Sequence, residues 1–91
     1  MTVQELIDEL NKRIKDKSKD IWAYDESGIY SVEEYDDIVL LWFLNKKIKT
    51  MTVQELIDEL KKVKDKSKEV CQYDGSRICM AIEYADNAML F

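Results

Sequence analysis

The stretch Met1-Thr2-Val3-Gln4-Glu5-Leu6-Ile7-Asp8-Glu9-Leu10 returns letter for letter at residues 51–60. A repeat of this period governs architecture ahead of any local pattern, because each copy is one small unit that needs a neighbour to bury its apolar face. Inside the stretch, Thr2 and Glu5 have the spacing of a capping box, in which each side chain satisfies the other residue's backbone N–H. Apolar residues fall at Val3, Leu6, Ile7, Leu10 and Ile14, which is one face of a helix. Asp8 with Lys12 and Glu9 with Arg13 are favourable i,i+4 pairs, and the order of acids before bases suits the helix dipole. The spacing predicts helices over residues 2–15 and 52–64.

The likeness continues beyond the identical block. Lys15-Asp16-Lys17-Ser18-Lys19 matches Lys64-Asp65-Lys66-Ser67-Lys68, Tyr24-Asp25 matches Tyr73-Asp74, and Glu34-Tyr35 matches Glu83-Tyr84. The offset slips by one residue near Arg13, where a helix end frays into a loop and absorbs the change. Residues 1–44 form the first copy, 45–50 a polar cationic linker, and 51–91 the second copy. Units of about 40 residues rarely hold a core alone. The two copies are therefore expected to share one core as a single globular unit.

After each helix comes a charged connector, 15–19 or 64–68. Its lysines read either as phosphate contacts or as a solvated helix end; the interspersed Asp favours the second. Residues 20–25 alternate, with Ile21 and Ala23 on one face and Trp22 and Tyr24 on the other, as in a strand. Asp25-Glu26-Ser27-Gly28 is a turn, residues 29–35 a second strand, and Asp36-Asp37 a tight turn. The apolar run Ile38–Leu44 reads as a strand covered on both faces. A rival reading exists, because Ser31 and Glu34 also fit a capping box that would start a helix over 32–48. The second copy predicts strands over 69–74, 77–84 and 87–91. The expected fold class is α+β: a tandem αβββ repeat, two helices packed on antiparallel sheet, with internal pseudo-twofold symmetry.

Composition excludes several functions. The chain has 91 residues, a net charge of −5, no His and no Pro. Residues 1–44 hold five basic and eleven acidic groups, a charge of −6, while 51–91 hold six and eight, a charge of −2. An acidic balance opposes phosphate-backbone binding, so direct nucleic-acid binding is not expected. Nucleophilic triads need a base that is usually His, and a phosphate loop needs more glycine than Gly28 and Gly75 supply. Cys71 and Cys79 lack metal-ligand spacing. The first residues read as a helix start and not as a signal peptide, and the longest apolar run is too short to span a membrane. We expect a non-enzymatic, cytoplasmic protein without cofactor or metal, as monomer or homodimer.

The densest acidic cluster is Glu33, Glu34, Asp36 and Asp37. The second copy has Ile82, Glu83, Ala85 and Asp86 there, so an acidic site belongs to the first copy alone. Such a cluster holds a divalent cation, faces a basic partner or simply solvates a hairpin end. Trp22, Tyr24, Tyr30, Tyr35 and Trp42 give the first copy an aromatic surplus, read either as core packing or as an interface hot spot. The expected partner-binding residues are Trp22, Asp25, Glu26, Tyr30, Glu33, Glu34, Asp36 and Asp37, facing a protein with a basic surface. An alternative uses the Lys-rich connectors as a nucleic-acid-associated module. Trp22 and Tyr30 align with Cys71 and Cys79, so the two thiols are expected free, buried and close in space.

The helix Thr2-Val3-Gln4-Glu5-Leu6-Ile7-Asp8-Glu9-Leu10, the Lys-rich loop and the strand ending Tyr73-Asp74-Gly75 resemble short proteins carried by phages and other mobile elements. Many small acidic proteins of that origin inhibit bacterial defence, anti-CRISPR proteins among them, by occupying a nucleic-acid-binding surface. The resemblance implies that kind of inhibitor and assigns no individual residue a role.

Overall fold

Each helix begins with a completed capping box. Thr2 Oγ1 accepts from the Glu5 N–H at 3.1 Å, and the Thr2 N–H donates to Glu5 Oε1 at 2.8 Å. Thr52 and Glu55 repeat this at 3.2 and 2.8 Å. The computed structural model describes residues 1–23, 28–44, 51–72 and 75–91, with the side chains of Tyr30, Phe43 and Leu44 outside that description. The helices are α1 (Val3–Arg13) and α2 (Val53–Lys61). Each buries the expected face: Val3, Leu6, Ile7 and Leu10 in α1, and Val53, Leu56, Ile57 and Leu60 in α2.

The strands are β1 (Asp20–Ala23), β2 (Gly28–Glu34), β3 (Ile38–Leu44), β4 (Glu69–Gln72), β5 (Ala81–Glu83) and β6 (Asn87–Leu90). The rival helix over 32–48 is absent from the described part of that segment, because β2 and β3 run through it as a hairpin. Val39 and Leu41 are buried while Ile38, Leu40 and Trp42 are half-buried, the period-two alternation of a strand. The strand expected over 77–84 is shorter: only 81–83 form β5, while Arg77 bridges back to Cys71 on β4.

The sheet differs from the expected antiparallel one. Its order is β4-β3-β2-β1-β6-β5, and it is mixed. Pairing is antiparallel for β1 with β2, β2 with β3 and β5 with β6. It is parallel for β3 with β4 and for β1 with β6. Parallel neighbours require a crossover connection, and α2 with its flanking segments supplies one between β3 and β4. The fold is therefore α+β, with two helices on a mixed sheet. Both parallel pairings join strands from different copies of the sequence repeat.

Met51 is wedged into the β1–β2 hairpin, and Met1 takes the corresponding place beside β4. Between β1 and β2, Met51 accepts from the Ile21 N–H at 3.0 Å and donates to the Ile29 carbonyl at 2.9 Å. This explains why β1 and β2 share so short a register, Trp22 against Gly28. Beside β4, the Met1 carbonyl accepts from the Val70 N–H at 3.0 Å, and the Met1 ammonium reaches the Ile78 carbonyl at 3.4 Å. Met1 and Met51, each one residue ahead of an N-cap, are thus bonded to backbone of the other copy. The first-turn donors follow. Val3 and Gln4 donate to the carbonyls of Lys68 and Lys66, and Val53 and Gln54 to those of Lys19 and Lys17, all at 2.9–3.0 Å. With the capping box, every helical N–H that lacks an intrahelical partner is satisfied.

Buried side chains of both helices and of strands from both copies form one cluster, including Leu6, Leu10, Ile21, Ile29, Leu41, Leu56, Leu60, Val70 and Leu90. No described helix is long and apolar enough to cross a membrane.

Candidate functional site

Two carboxylates clasp the copies together, and this decides which acidic groups stay available at the surface. Past α1, Asp16 Oδ1 accepts from the Ser18 N–H at 3.0 Å and from its hydroxyl at 2.5 Å, closing a tight turn. The turn aims two backbone donors at Glu83: the Lys15 N–H reaches Oε1 at 3.0 Å and the Asp16 N–H reaches Oε2 at 3.2 Å. Lys19 Nζ adds a contact to Glu83 Oε2 at 3.0 Å and one to the Tyr84 carbonyl at 2.7 Å. The Lys15 N–H, then the Lys19 ammonium and the Asp16 N–H, hold the Glu83 carboxyl down from 4.5 to about 2.

The corresponding residues of the other copy make the same set of contacts. Glu34 accepts from the Lys64 and Asp65 N–H groups at 3.1 and 3.3 Å and from Lys68 Nζ at 2.9 Å. Lys68 also donates to the Tyr35 carbonyl at 2.6 Å. The Lys68 ammonium is the leading reason that the Glu34 carboxyl lies below its ordinary range, followed by the Lys64 N–H. Lys17 and Lys66 donate to the helix-end carbonyls of Ile14 and Val63, both at 2.8 Å. None of the four contacts of each clasp was visible to local pattern reading, because every one joins residues of different copies. One signal was present: Glu34, Glu83, Lys19 and Lys68 recur in both copies, while Glu33 and Asp36 do not.

The expected partner-binding residues separate accordingly. Glu34 is held inside its clasp. Glu33, Asp36 and Asp37 are exposed around the β2–β3 turn. Tyr35 between them is 43% exposed, and its hydroxyl donates to Glu33 Oε2 at 2.9 Å. An open groove of about 650 Å³ lies at this turn, lined by Glu34, Tyr35, Asp36, Asp37, Ile38 and Leu40. Trp22 sits on β1, half-buried, paired with Gly28 at the end of β2 opposite to the turn. Its indole N–H and that of Trp42 are buried without an acceptor among the described residues. Asp25 and Glu26 lie outside the described residues, as does the Tyr30 side chain.

Among the described residues, no group of three or more His, Cys, Asp or Glu side chains is arranged to hold a metal ion. Cys71 and Cys79 are both free; Cys71 is buried, but Cys79 is exposed, against the expectation of two buried thiols. The reason is the shortening of β5: Cys79 precedes it and leaves the alternation that would have turned its side chain inward. Comparison with protein-family models, curated proteins and solved structures finds no match for the chain.

Proposed function

We propose that this chain is a non-enzymatic, acidic protein-interaction module that engages a basic surface of a protein partner. We read it as a cytoplasmic inhibitor of the kind carried by phages and mobile elements, anti-CRISPR-like in occupying a surface that otherwise binds nucleic acid. The observation that carries this reading is the exposure of Glu33, Asp36 and Asp37 beside the clasp that neutralises Glu34. These carboxylates flank Glu34 and Tyr35, which the clasp ties to Lys68 at the hairpin turn, so little ordering is required on binding. Electrostatic steering by such a group speeds association and makes it sensitive to salt.

The connectors favour this reading over nucleic-acid binding. Lys19 and Lys68 are engaged by Glu83 and Glu34, and Lys17 and Lys66 by helix-end carbonyls. The same matched contacts support the finer architecture of a tandem αβββ repeat with an internal pseudo-twofold axis. On this reading the fold is a scaffold built twice, and the first copy alone carries the acidic interface.

The test is capture of proteins from a bacterial lysate at increasing salt, with the parent chain and a Glu33→Lys/Asp36→Lys variant, beside a heparin column. The expected result is capture of a basic protein, weakened as screening rises beyond the ~8 Å Debye length of physiological salt and lost in the folded variant. Retention of the parent chain on heparin with no protein captured would move the function to the connectors.

A further inference from the structure

We propose that the groove at the β2–β3 turn, extended by the outward side chains of β3, docks a cationic amphipathic segment of a protein partner, one that carries Lys or Arg beside alternating apolar side chains. This inference rests on the reading of the chain as an acidic interaction module and specifies what that module recognises. On β3, Val39 and Leu41 enter the core, so Ile38, Leu40 and Trp42 share the opposite face. All three are half-buried. Alternate residues of a strand are about 6.7 Å apart, so the three side chains make an apolar stripe of about 13 Å. One end of the stripe belongs to the groove, which Ile38 and Leu40 line together with Asp36 and Asp37. Glu33 lies directly across from Leu40 on β2, and Cys71 lies on its other side on β4. Among the described residues no Lys or Arg lines the groove, and Lys68, which bonds the lining residues Glu34 and Tyr35, is taken up by the clasp.

Charge complementarity selects the occupant. Carboxylates set beside apolar side chains repel phosphate, whether of nucleic acid or of an anionic lipid surface, and repel a second copy of a chain with net charge −5. They attract a side chain that is cationic at its tip, placed next to apolar groups that cover the stripe. The fold does not itself demand this combination. At the matching positions of the second copy, Ile82 replaces Glu33, Ala85 replaces Asp36 and Asn87 replaces Ile38. Those residues are accommodated in β5, the following turn and β6. The carboxylate-over-apolar arrangement is therefore particular to one end of the molecule.

The experiment is a titration of the isotope-labelled full chain with three end-blocked ten-residue peptides, followed by amide chemical shifts. One peptide alternates Lys and Leu, one is all Lys, and one alternates Ser and Leu. The expected result is saturable binding of the Lys–Leu peptide, with the largest shifts in residues 33–42. Asp36→Asn/Asp37→Asn and, separately, Leu40→Ser should each weaken it by about tenfold or more, as loss of either the charge or the apolar contact removes one half of the recognition. The parent-chain shift map does not depend on the variants folding. Equal binding of the all-Lys peptide, shifts centred away from 33–42, or no binding at all would overturn the proposal. The broader reading fails separately, when the lysate experiment captures no basic protein. If a basic protein is captured and released by Glu33→Lys/Asp36→Lys but the peptide misses 33–42, the reading stands and the docking site falls.

Discussion

Lys19 Nζ and Glu83 Oε2 meet at 3.0 Å although 64 positions separate them, and Lys68 and Glu34 repeat the contact at 2.9 Å. Each pair joins the connector of one copy to a strand end of the other. Each is reinforced by two backbone N–H donors, a geometry that favours the ionised carboxylate over the protonated one.

The clasps make stability depend on acid. The Glu83 carboxyl is lowered from 4.5 to about 2 in the folded chain, and that of Glu34 is lowered as well. A depressed carboxylate contributes stability that is fully present above its unfolded value and lost as pH falls through its folded one. Denaturant midpoints of the parent chain should therefore drop between pH 4.5 and about 2. Glu83→Gln should be less stable at neutral pH and show a shallower acid decline. An acid profile unchanged by Glu83→Gln would show that the clasp contributes nothing.

Leu6 and Leu56 are equivalent positions on the two helices, and both have no solvent exposure. Leu→Ala at either site should cost about 2–5 kcal/mol, through lost burial and a residual cavity. Chemical denaturation measures this directly. A cost below about 1 kcal/mol at both sites would contradict a tightly packed core at the helix faces.

The interlocking of the copies predicts that neither is stable alone as a monomer. The first-turn N–H groups of each helix bond to the opposite connector, and Met51 is held between Ile21 and Ile29. Separate expression of 1–45 and 51–91 should give unfolded chains or dimers, seen by circular dichroism and sedimentation. A monomeric 51–91 as stable as the whole chain would sink the prediction.

The two thiols should react at different rates. Cys71 is 8% exposed, whereas Cys79 is at the surface. Titration of the native protein with a thiol reagent should show one fast and one slow group, and two fast groups after unfolding. Two equally rapid native thiols would mean that β4 opens readily.

The repeat, the two helices and the β2–β3 hairpin were legible in the amino-acid sequence because their causes are local. Thr2 meets Glu5 three residues away, Leu6 and Leu10 share one helix face, and Val39 and Leu41 alternate with Leu40. The acidic character of the first copy is likewise a matter of composition, so the exposed Glu33, Asp36 and Asp37 could be named in advance. What only the tertiary structure decided is which copy each strand joins. Parallel pairing of β3 with β4 and of β1 with β6, and the insertion of Met51 beside Ile21, depend on contacts between distant residues. No periodicity encodes those contacts. The same holds for Glu34: by composition it belongs with its acidic neighbours, but the fold places Lys68 and two N–H donors around it and leaves its neighbours at the surface. A carboxylate's role follows from the donors that reach it, and here those donors come from the other half of the chain.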